Sequence, residues 1–507
     1  KLYGPDRLYT DGLKVYTTLD LEQQAVAEKY LTEGLERQNE IHKAVSTMVK
    51  DNVDRKLLDT LDLLSLVFDL NVDIGSRKNQ ERVTNYLNKH VLGPLDMVSF
   101  LFDSSSIGRV ISSSYTVNEN EGIFQKVEGA FVALDLIIFF IFFEFTLVPM
   151  MLLIMHWGGE NRQYAGFKFM VYTMGGSVLM LLAFQIIGVT LGSFDLVYAT
   201  RAWPTFNGSL FGLGADTVKA IAFWGIFIGF AIKLPIWPFH TWLPDAHTEA
   251  PTAGSMLLAG VLLKLGGYGF IRILLPLFPE QSARFAPIIA VLALAAIILG
   301  ALAALAQSDF KRLVAYSSVN HMGLVVLGIA VIAAAYGRRD LADAAVMAGN
   351  GVVLQMFNHG ITAAALFLLV GVVYERTHTR DLRAFGGLGV VVPVYGGILL
   401  FSAFASLGLP GLNGFVGEFL LFRGAWPAFT LVTALATLGL LFTGAYLLWM
   451  IQRVLLGPLN ARWAHLREIN LREAIAVIPL LALMLITGVW PSWILATINE
   501  TVSRVFG

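Results

Sequence analysis

Six ionisable side chains stand inside long apolar runs of this sequence, and each is of a type that exchanges protons. Glu144 follows the run Leu136 to Phe143, and Lys233 follows Phe230-Ala231-Ile232. Lys264 sits in Leu262-Leu263-Lys264-Leu265-Gly266, His321 in Ser317-Ser318-Val319-Asn320-His321, His359 in Met356-Phe357-Asn358-His359-Gly360, and Glu418 in Gly414-Phe415-Val416-Gly417-Glu418. A charge at the centre of an apolar layer costs roughly 3 kcal/mol or more unless it faces a partner or a wet cavity. Six such groups on six different runs are what a proton relay through an apolar medium requires. Plainer roles compete with this one. A lysine or arginine near a helix end snorkels to the surface, which suits Arg272 and Lys219 better than the deeply placed Lys233 and Lys264. A histidine in an apolar layer also bonds neighbouring helices together, and Glu144 and Glu418 also serve as structural partners of lysines. Asp135, near the end of its run, reads as an interfacial residue.

The elements that must position these groups are membrane helices. From Gly129 onward, apolar runs long enough to cross a bilayer follow one another with short polar breaks. Ten spans are expected, over about 130–156, 164–190, 216–239, 251–275, 285–306, 311–335, 342–374, 388–422, 427–456 and 472–500. Alternate loops carry unequal numbers of basic residues: Arg162, Lys168, Lys311, Arg312, Arg376 and six more on one side, against Arg201, Arg284, Arg338, Arg339 and Arg423 on the other. The richer side is expected to be cytoplasmic, and the even number of spans puts residue 128 and the C-terminus outside.

Two spans carry the signs of interrupted helices. Pro235 and Pro238 follow Lys233 directly, and Gly408-Leu409-Pro410-Gly411 precedes Glu418. Proline removes a backbone donor and kinks or ends a helix. Broken backbone at membrane depth persists only where protein buries it or it lines a wet cavity, and half-helix ends hold ions well. The breaks fall in the third and eighth spans, the spacing of two five-helix repeats, each with an odd number of spans and therefore inverted relative to the other. The segment His240 to Pro251 reads as a proline-rich reentrant turn, since its histidines and acids lack coherent metal-ligand spacing.

Composition divides the chain. Of 507 residues, 56% are hydrophobic and 14% charged, with no cysteine. Residues 1–128 hold 35 of the 73 charged side chains, about 27% of that stretch, whereas residues 129–507 hold 38, about 10%. The first value is ordinary for soluble protein and the second belongs to a membrane domain. The expected domains are therefore a soluble, mainly helical stretch of unknown role at 1–128, fused or misassigned, and a membrane domain at 129–507. The net charge of −1 combines −5 in the first with +4 in the second and offers no broad basic surface for nucleic acid. Without cysteine there is no disulfide, no thiolate zinc or iron–sulfur ligation and no cysteine nucleophile. The start at Lys1 reads as a fragment, a processing product or a cloning artefact.

Within the first stretch, Leu19 to Glu36 has near-helical apolar spacing, with Thr18 or Asp20 as N-cap. The apolar piece Leu57 to Ile74 is interrupted by Asp59, Asp62, Asp69 and Asp73 and cannot span a bilayer, and the serine-rich run 103–114 reads as a loop. Gly12-Leu13-Lys14-Val15-Tyr16-Thr17-Thr18-Leu19-Asp20 resembles the segment after the glycosyltransferase domain of class A penicillin-binding proteins, over about residues 1–36. That family's Ser-x-x-Lys and Lys-Thr-Gly motifs do not occur in residues 1–128, so no peptidoglycan chemistry follows.

The membrane stretch resembles another family far more extensively. Phe143 to Met150, Trp157-Gly158-Gly159-Glu160-Asn161-Arg162, Lys233 to Pro238, Trp242 to Pro251, Leu262 to Gly269, Ser308 to Ser318 and Gly408 to Phe419 look like the M subunit of bacterial proton-pumping NADH:quinone oxidoreductase, respiratory complex I, over about residues 129–500. Glutamate at 418, where sister antiporter-like subunits usually carry lysine, favours the M subunit. The resemblance implies an all-α polytopic fold with two broken helices and inverted five-helix repeats, the first repeat lacking its first helix. It implies that Glu144 and Lys233 form a pair whose separation sets the lysine's proton affinity, that Lys264 is the central carrier, that His321 and His359 connect, and that Glu418 is the terminal site toward the outside. A lysine in a low-dielectric site holds its proton less tightly and a nearby carboxylate restores the hold, so moving such a pair apart expels the proton.

The same resemblance implies that this chain binds no cofactor or metal, with NADH, FMN, iron–sulfur clusters and quinone in other subunits. The implied partners are membrane-arm subunits of complex I, sister antiporter-like subunits among them, together with the lipid bilayer; the implied location is the bacterial inner membrane. The alternative is a subunit of a multi-subunit sodium/proton antiporter, which would co-purify with antiporter partners. A cell-wall enzyme, the rival suggested by the N-terminal likeness, would be labelled by a β-lactam.

Overall fold

The computed structural model describes residues 129–506 except Val132 and Phe211. The expected helix over 19–36, the 57–74 piece and the serine-rich loop lie outside the described residues. The described residues form an all-helical bundle. In chain order they build α1 (Leu136–Trp157), α2 (Arg162–Leu191), the short α3 (Leu196–Ala202), α4 (Ala215–Lys233), α5 (Trp242–Glu249), α6 (Thr252–Leu277), α7 (Pro279–Leu305), α8 (Phe310–Ala335), α9 (Arg339–Thr377), α10 (Pro393–Leu407), α11 (Asn413–Ala428), α12 (Thr430–Leu455), α13 (Leu471–Val489) and α14 (Ser492–Phe506). A two-residue hairpin before α4 pairs Ser209 with Gly214 and Leu210 with Leu213.

Nine helices among the described residues are long and apolar enough to cross a membrane: α1, α2, α4, α6, α7, α8, α9, α12 and α13. The eighth expected span is instead two helices, α10 of 15 residues and α11 of 16. At 1.5 Å per residue each reaches only about 23 Å, short of the ~30 Å hydrocarbon core, so the two together make one crossing. The third expected span stops at Lys233, and the chain resumes as α5. The last expected span is likewise divided, because Pro491 separates α13 from α14. Both interruptions expected from proline and glycine are thus present, and a third follows the same rule.

The inversion of the repeats is written in backbone hydrogen bonds. Before α1, Leu136 N–H donates to the Phe194 carbonyl (2.9 Å) and Leu196 N–H to that of Leu134 (2.7 Å). Before α8, Phe310 N–H donates to the Arg380 carbonyl (2.8 Å) and Leu382 N–H to that of Ser308 (2.8 Å). Each is a single antiparallel bridge between two aspartates, Asp135 with Asp195 and Asp309 with Asp381. All four aspartates cap a helix that follows: Asp135, for example, accepts from the N–H groups of Ile137 and Ile138. Arg383 bonds Asp381 and holds its carboxyl below the usual carboxylate range. Five crossings separate the start of α1 from the start of α8, so the two bridges lie on opposite faces of the bundle, as inverted repeats demand.

Two of the relay candidates, His321 and His359, rest on the most buried helices. α8 and α9 are enclosed by neighbours along most of their length, whereas α1, α2, α12 and α13 turn large apolar side chains such as Phe145, Phe167, Leu441 and Ile475 outward. Such a surface is stable against hydrocarbon or an apolar neighbour.

Candidate functional site

Lys233 ends α4 because Pro235 cannot continue it and disfavours helical geometry at Leu234. The freed backbone groups are met locally: Ile236 N–H donates to the Ala231 carbonyl (2.9 Å), and the Trp242 indole donates to the Ile232 carbonyl (3.0 Å). Lys233 itself is 1% exposed. Its ammonium donates to Thr146 Oγ1 at 3.0 Å and lies 4.8 Å from the centre of the Phe143 ring. The helical hydrogen-bond pattern of α1 is interrupted at Thr146, between Phe145 and Leu147, where Pro149 supplies no N–H for the Phe145 carbonyl. Glu144 is two residues from Thr146 and near Lys233, but the two are not in ion-pair contact, and Glu144 Oε1 is buried without a hydrogen-bond partner. Glu144 and Lys233 are therefore neighbours without an ion pair between them.

Lys264 lies between two π-helical turns of α6, Leu258–Leu262 and Phe270–Leu274. Such turns expose carbonyls that a regular helix would consume and recur at functional sites; here the Lys264 ammonium donates to the Ala259 carbonyl. The same ammonium is 2.8 Å from His359 Nδ1 on α9. That distance requires close backbone approach, and glycine supplies it: a Cβ added at Gly360 would sit 3.0 Å from the Gly260 carbonyl oxygen.

From His359 the groups continue without a gap in burial. The His359 and His321 ring centres are 5.7 Å apart at 54°. His321 Nε2 meets Ser406 Oγ at 3.1 Å, and His321 Nδ1 approaches Glu418 Oε1 at 3.4 Å. That last contact has the range of an ion pair but not the alignment of a hydrogen bond, since both atoms lack a hydrogen-bond partner. Glu418 fits against the break between α10 and α11. Gly408 there has φ +80°, and a Cβ on it would fall 2.5 Å from Glu418 Oε2. Across the break, Asn358 Nδ2 donates to the Asn413 carbonyl (2.6 Å) and fastens α11 to α9 one residue from His359.

The structure thus draws Lys264, His359, His321 and Glu418 from four helices into one buried chain, and it groups Glu144 with Lys233 apart from them. No hydrogen bond among the described residues joins the two groups. Close packing does: a Cβ on Gly266 of α6 would lie 2.8 Å from Leu234 N at the end of α4.

One residue escaped sequence reasoning. His247 on α5 is fully buried, stacks on Phe367 with ring centres 4.4 Å apart, and has both ring nitrogens unpartnered. Lys311 and Lys264 are its charged neighbours, and the Lys311 ammonium donates to the Ala250 carbonyl at the basic face. Its only signal in sequence was a histidine in a proline-bounded turn. No group of three or more metal-binding side chains occurs among the described residues.

Residues 133–443 match the family described as NADH:quinone oxidoreductase/Mrp antiporter, transmembrane. NADH-quinone oxidoreductase subunit M of Rickettsia conorii is 41% identical over 414 residues, covering 81% of this chain and 80% of the relative. The subunit of the same name from Rhodobacter capsulatus is 45% identical over 390 residues, covering 74% and 72%. A chain of respiratory complex I from Thermus thermophilus with bound NADH matches with a TM-score of 0.66 at 31% identity, over 75% of this chain and 77% of that one. A chain of the Mrp complex from Dietzia sp. DQ12-45-1b has the same fold, with a TM-score of 0.65 at 21% identity over 75% and 76%. Family match, identity and coverage agree, and the chain belongs to the subunit M family of NADH-quinone oxidoreductase.

Proposed function

We propose that this chain translocates protons across the bacterial inner membrane as a membrane-arm subunit of NADH:quinone oxidoreductase, coupled to electron transfer from NADH to quinone in other subunits. The observation that carries the reading is the buried chain Lys264, His359, His321 and Glu418, in which each member is of a proton-exchanging type and adjoins the next. Proton hand-over needs hydrogen-bond reach, directly or through one water. Lys264 and His359 have it directly, and the ring centres of the two imidazoles are 5.7 Å apart.

Glu144 and Lys233 act as the controlling pair. Thr146 holds the ammonium while the carboxylate stands off, so a small movement at the kink of α1 changes the lysine's electrostatic surroundings. Lys264 carries the proton centrally, His359 and His321 connect, and Glu418 is the terminal site. His247 links the basic face to Lys264. The chain has no cysteine for iron–sulfur ligation, and flavin, iron–sulfur clusters and quinone belong to other subunits in this reading. The outward apolar faces of α1, α2, α12 and α13 meet lipid and the neighbouring antiporter-like subunits.

The test uses the assembled enzyme in proteoliposomes, with Lys233→Ala and Glu144→Ala measured for proton pumping and NADH-driven quinone reduction. Both activities should fall about a hundredfold, the lower end of the range for loss of a proton-transfer group. Normal pumping in both variants would remove the assigned roles.

A further inference from the structure

The helix that carries His247, α5, has only eight residues, Trp242 to Glu249. Two turns do not persist on helical propensity alone, so packing and bonds to other elements decide where such a helix sits. The last carbonyls of a helix have no partner within it. At the end of α5 each is met from elsewhere. Ser255 Oγ donates to the His247 carbonyl (3.1 Å), Arg380 Nη1 to that of Thr248 (2.6 Å), Gly159 N–H to that of Glu249 (3.0 Å), and the Lys311 ammonium to that of Ala250. Two of these four donors are cations, the charge that suits a helix C-terminus, and both belong to the second repeat.

Arg380 does more than cap. Its own carbonyl accepts from Phe310 N–H in the bridge before α8, and its Nε donates to Asp309 Oδ2 (3.0 Å), one of the two aspartates of that bridge. The guanidinium is a rigid planar fork that aims several donors at fixed angles. Here it spans from the aspartate bridge of the second repeat to the short helix of the first. What it grips there is the peptide beside His247. The His247 ring has both nitrogens unpartnered, so its place follows from its stack on Phe367 and from the course of the α5 backbone.

We propose that Arg380 is a positioning residue of the relay: by fastening the Thr248 carbonyl to Asp309, it fixes His247 relative to Lys264 and makes the place of that imidazole answer to the aspartate bridge of the second repeat. Movement of the bridge carries the end of α5 with it, because one guanidinium is bonded to both. Arg380 itself exchanges no proton in this role. The inference rests on the proton-relay reading, in which His247 adjoins Lys264, and adds a mechanical connection between the repeats that runs through a backbone carbonyl rather than through the relay's side chains.

The experiment is a double-mutant cycle in the assembled enzyme, with Arg380→Met, His247→Ala and the two combined, and pumping expressed per assembled complex. Methionine keeps an apolar stem beside Tyr374, over whose ring the guanidinium lies (5.3 Å), and removes both donors. The control is Arg383→Met, on the same loop but bonded to Asp381 rather than to α5. The infrared imidazole band of His247, identified by its loss in His247→Ala, is read as well. Arg380→Met should lower pumping roughly tenfold, the worth of one hydrogen bond to a charged group, and shift the imidazole band; Arg383→Met should do neither. The combined variant should pump no worse than His247→Ala alone, because residues that act through one another do not add. Should Arg380→Met hinder assembly, Arg380→Gln, which keeps a donor, is read in the same way. Unchanged pumping on loss of Arg380 overturns the proposal, as do losses that multiply in the combined variant with the band unmoved, which mark a packing effect. Normal pumping in His247→Ala beside a failing Lys264→Ala removes this proposal alone; normal pumping in Lys264→Ala removes the relay reading and the proposal with it.

Discussion

Replacing Gly360 by alanine adds one methyl group and no charge, yet it acts on the central contact of the relay. The new Cβ would stand 3.0 Å from the Gly260 carbonyl oxygen, so α6 and α9 must separate by a few tenths of an ångström. Overpacking of this kind costs about 1–3 kcal/mol of stability. The same separation stretches the 2.8 Å contact between Lys264 and His359 past the ~3.2 Å limit of a good hydrogen bond. A hydrogen bond to a charged group is worth about 1.5–3 kcal/mol, and 1.4 kcal/mol is a factor of about ten. Pumping should therefore fall about tenfold while the complex still assembles. The assay is NADH-driven acidification in proteoliposomes of the assembled enzyme, alongside its thermal inactivation. Gly397→Ala, a glycine with open space around it, should be neutral in both. Full pumping by Gly360→Ala, or an equal loss in the two variants, would refute the reasoning.

Trp242→Phe keeps most of the buried ring but leaves the Ile232 carbonyl unpartnered at the end of α4; it should destabilise by about 1–3 kcal/mol, seen as faster thermal inactivation, with pumping by the surviving enzyme retained. Gly408→Ala combines about 1–2 kcal/mol of left-handed backbone strain with displacement of Glu418, and should abolish most pumping. Gly411→Ala, also left-handed at φ +92° but with nothing in its way, should show the strain in thermal inactivation without the loss of pumping.

The candidate residues were legible in sequence because charge is rare in apolar runs: Lys264 or Glu418 in a membrane helix stands out without any knowledge of its neighbours. The interruptions were legible for a similarly local reason, since Pro235 and the Gly408 to Gly411 segment break a helix wherever they occur. Who meets whom was not. The Lys264 and His359 contact depends on Gly260 and Gly360 facing each other from helices about a hundred residues apart, and glycine is common in membrane helices for many reasons. The π-helical turns around Lys264 have no proline or other marker. Thr146 became visible as the Lys233 partner only once α1 and α4 were packed together. His247 shares its turn with prolines and an acid, so its burial and unpaired nitrogens emerge only from the fold. The division of the eighth span into α10 and α11 was anticipated as a break, but its second half runs on to Ala428 through Arg423, whose charge had marked the end of the span in sequence.

The central claim is that protons pass through Lys264 to His359, His321 and Glu418. The direct measurement is the number of protons translocated per NADH oxidised by the assembled enzyme in proteoliposomes, wild type against Lys264→Ala. The relay predicts that the variant loses this chain's share of the protons, together with most coupled quinone reduction. An unaltered ratio at an unaltered rate would contradict it.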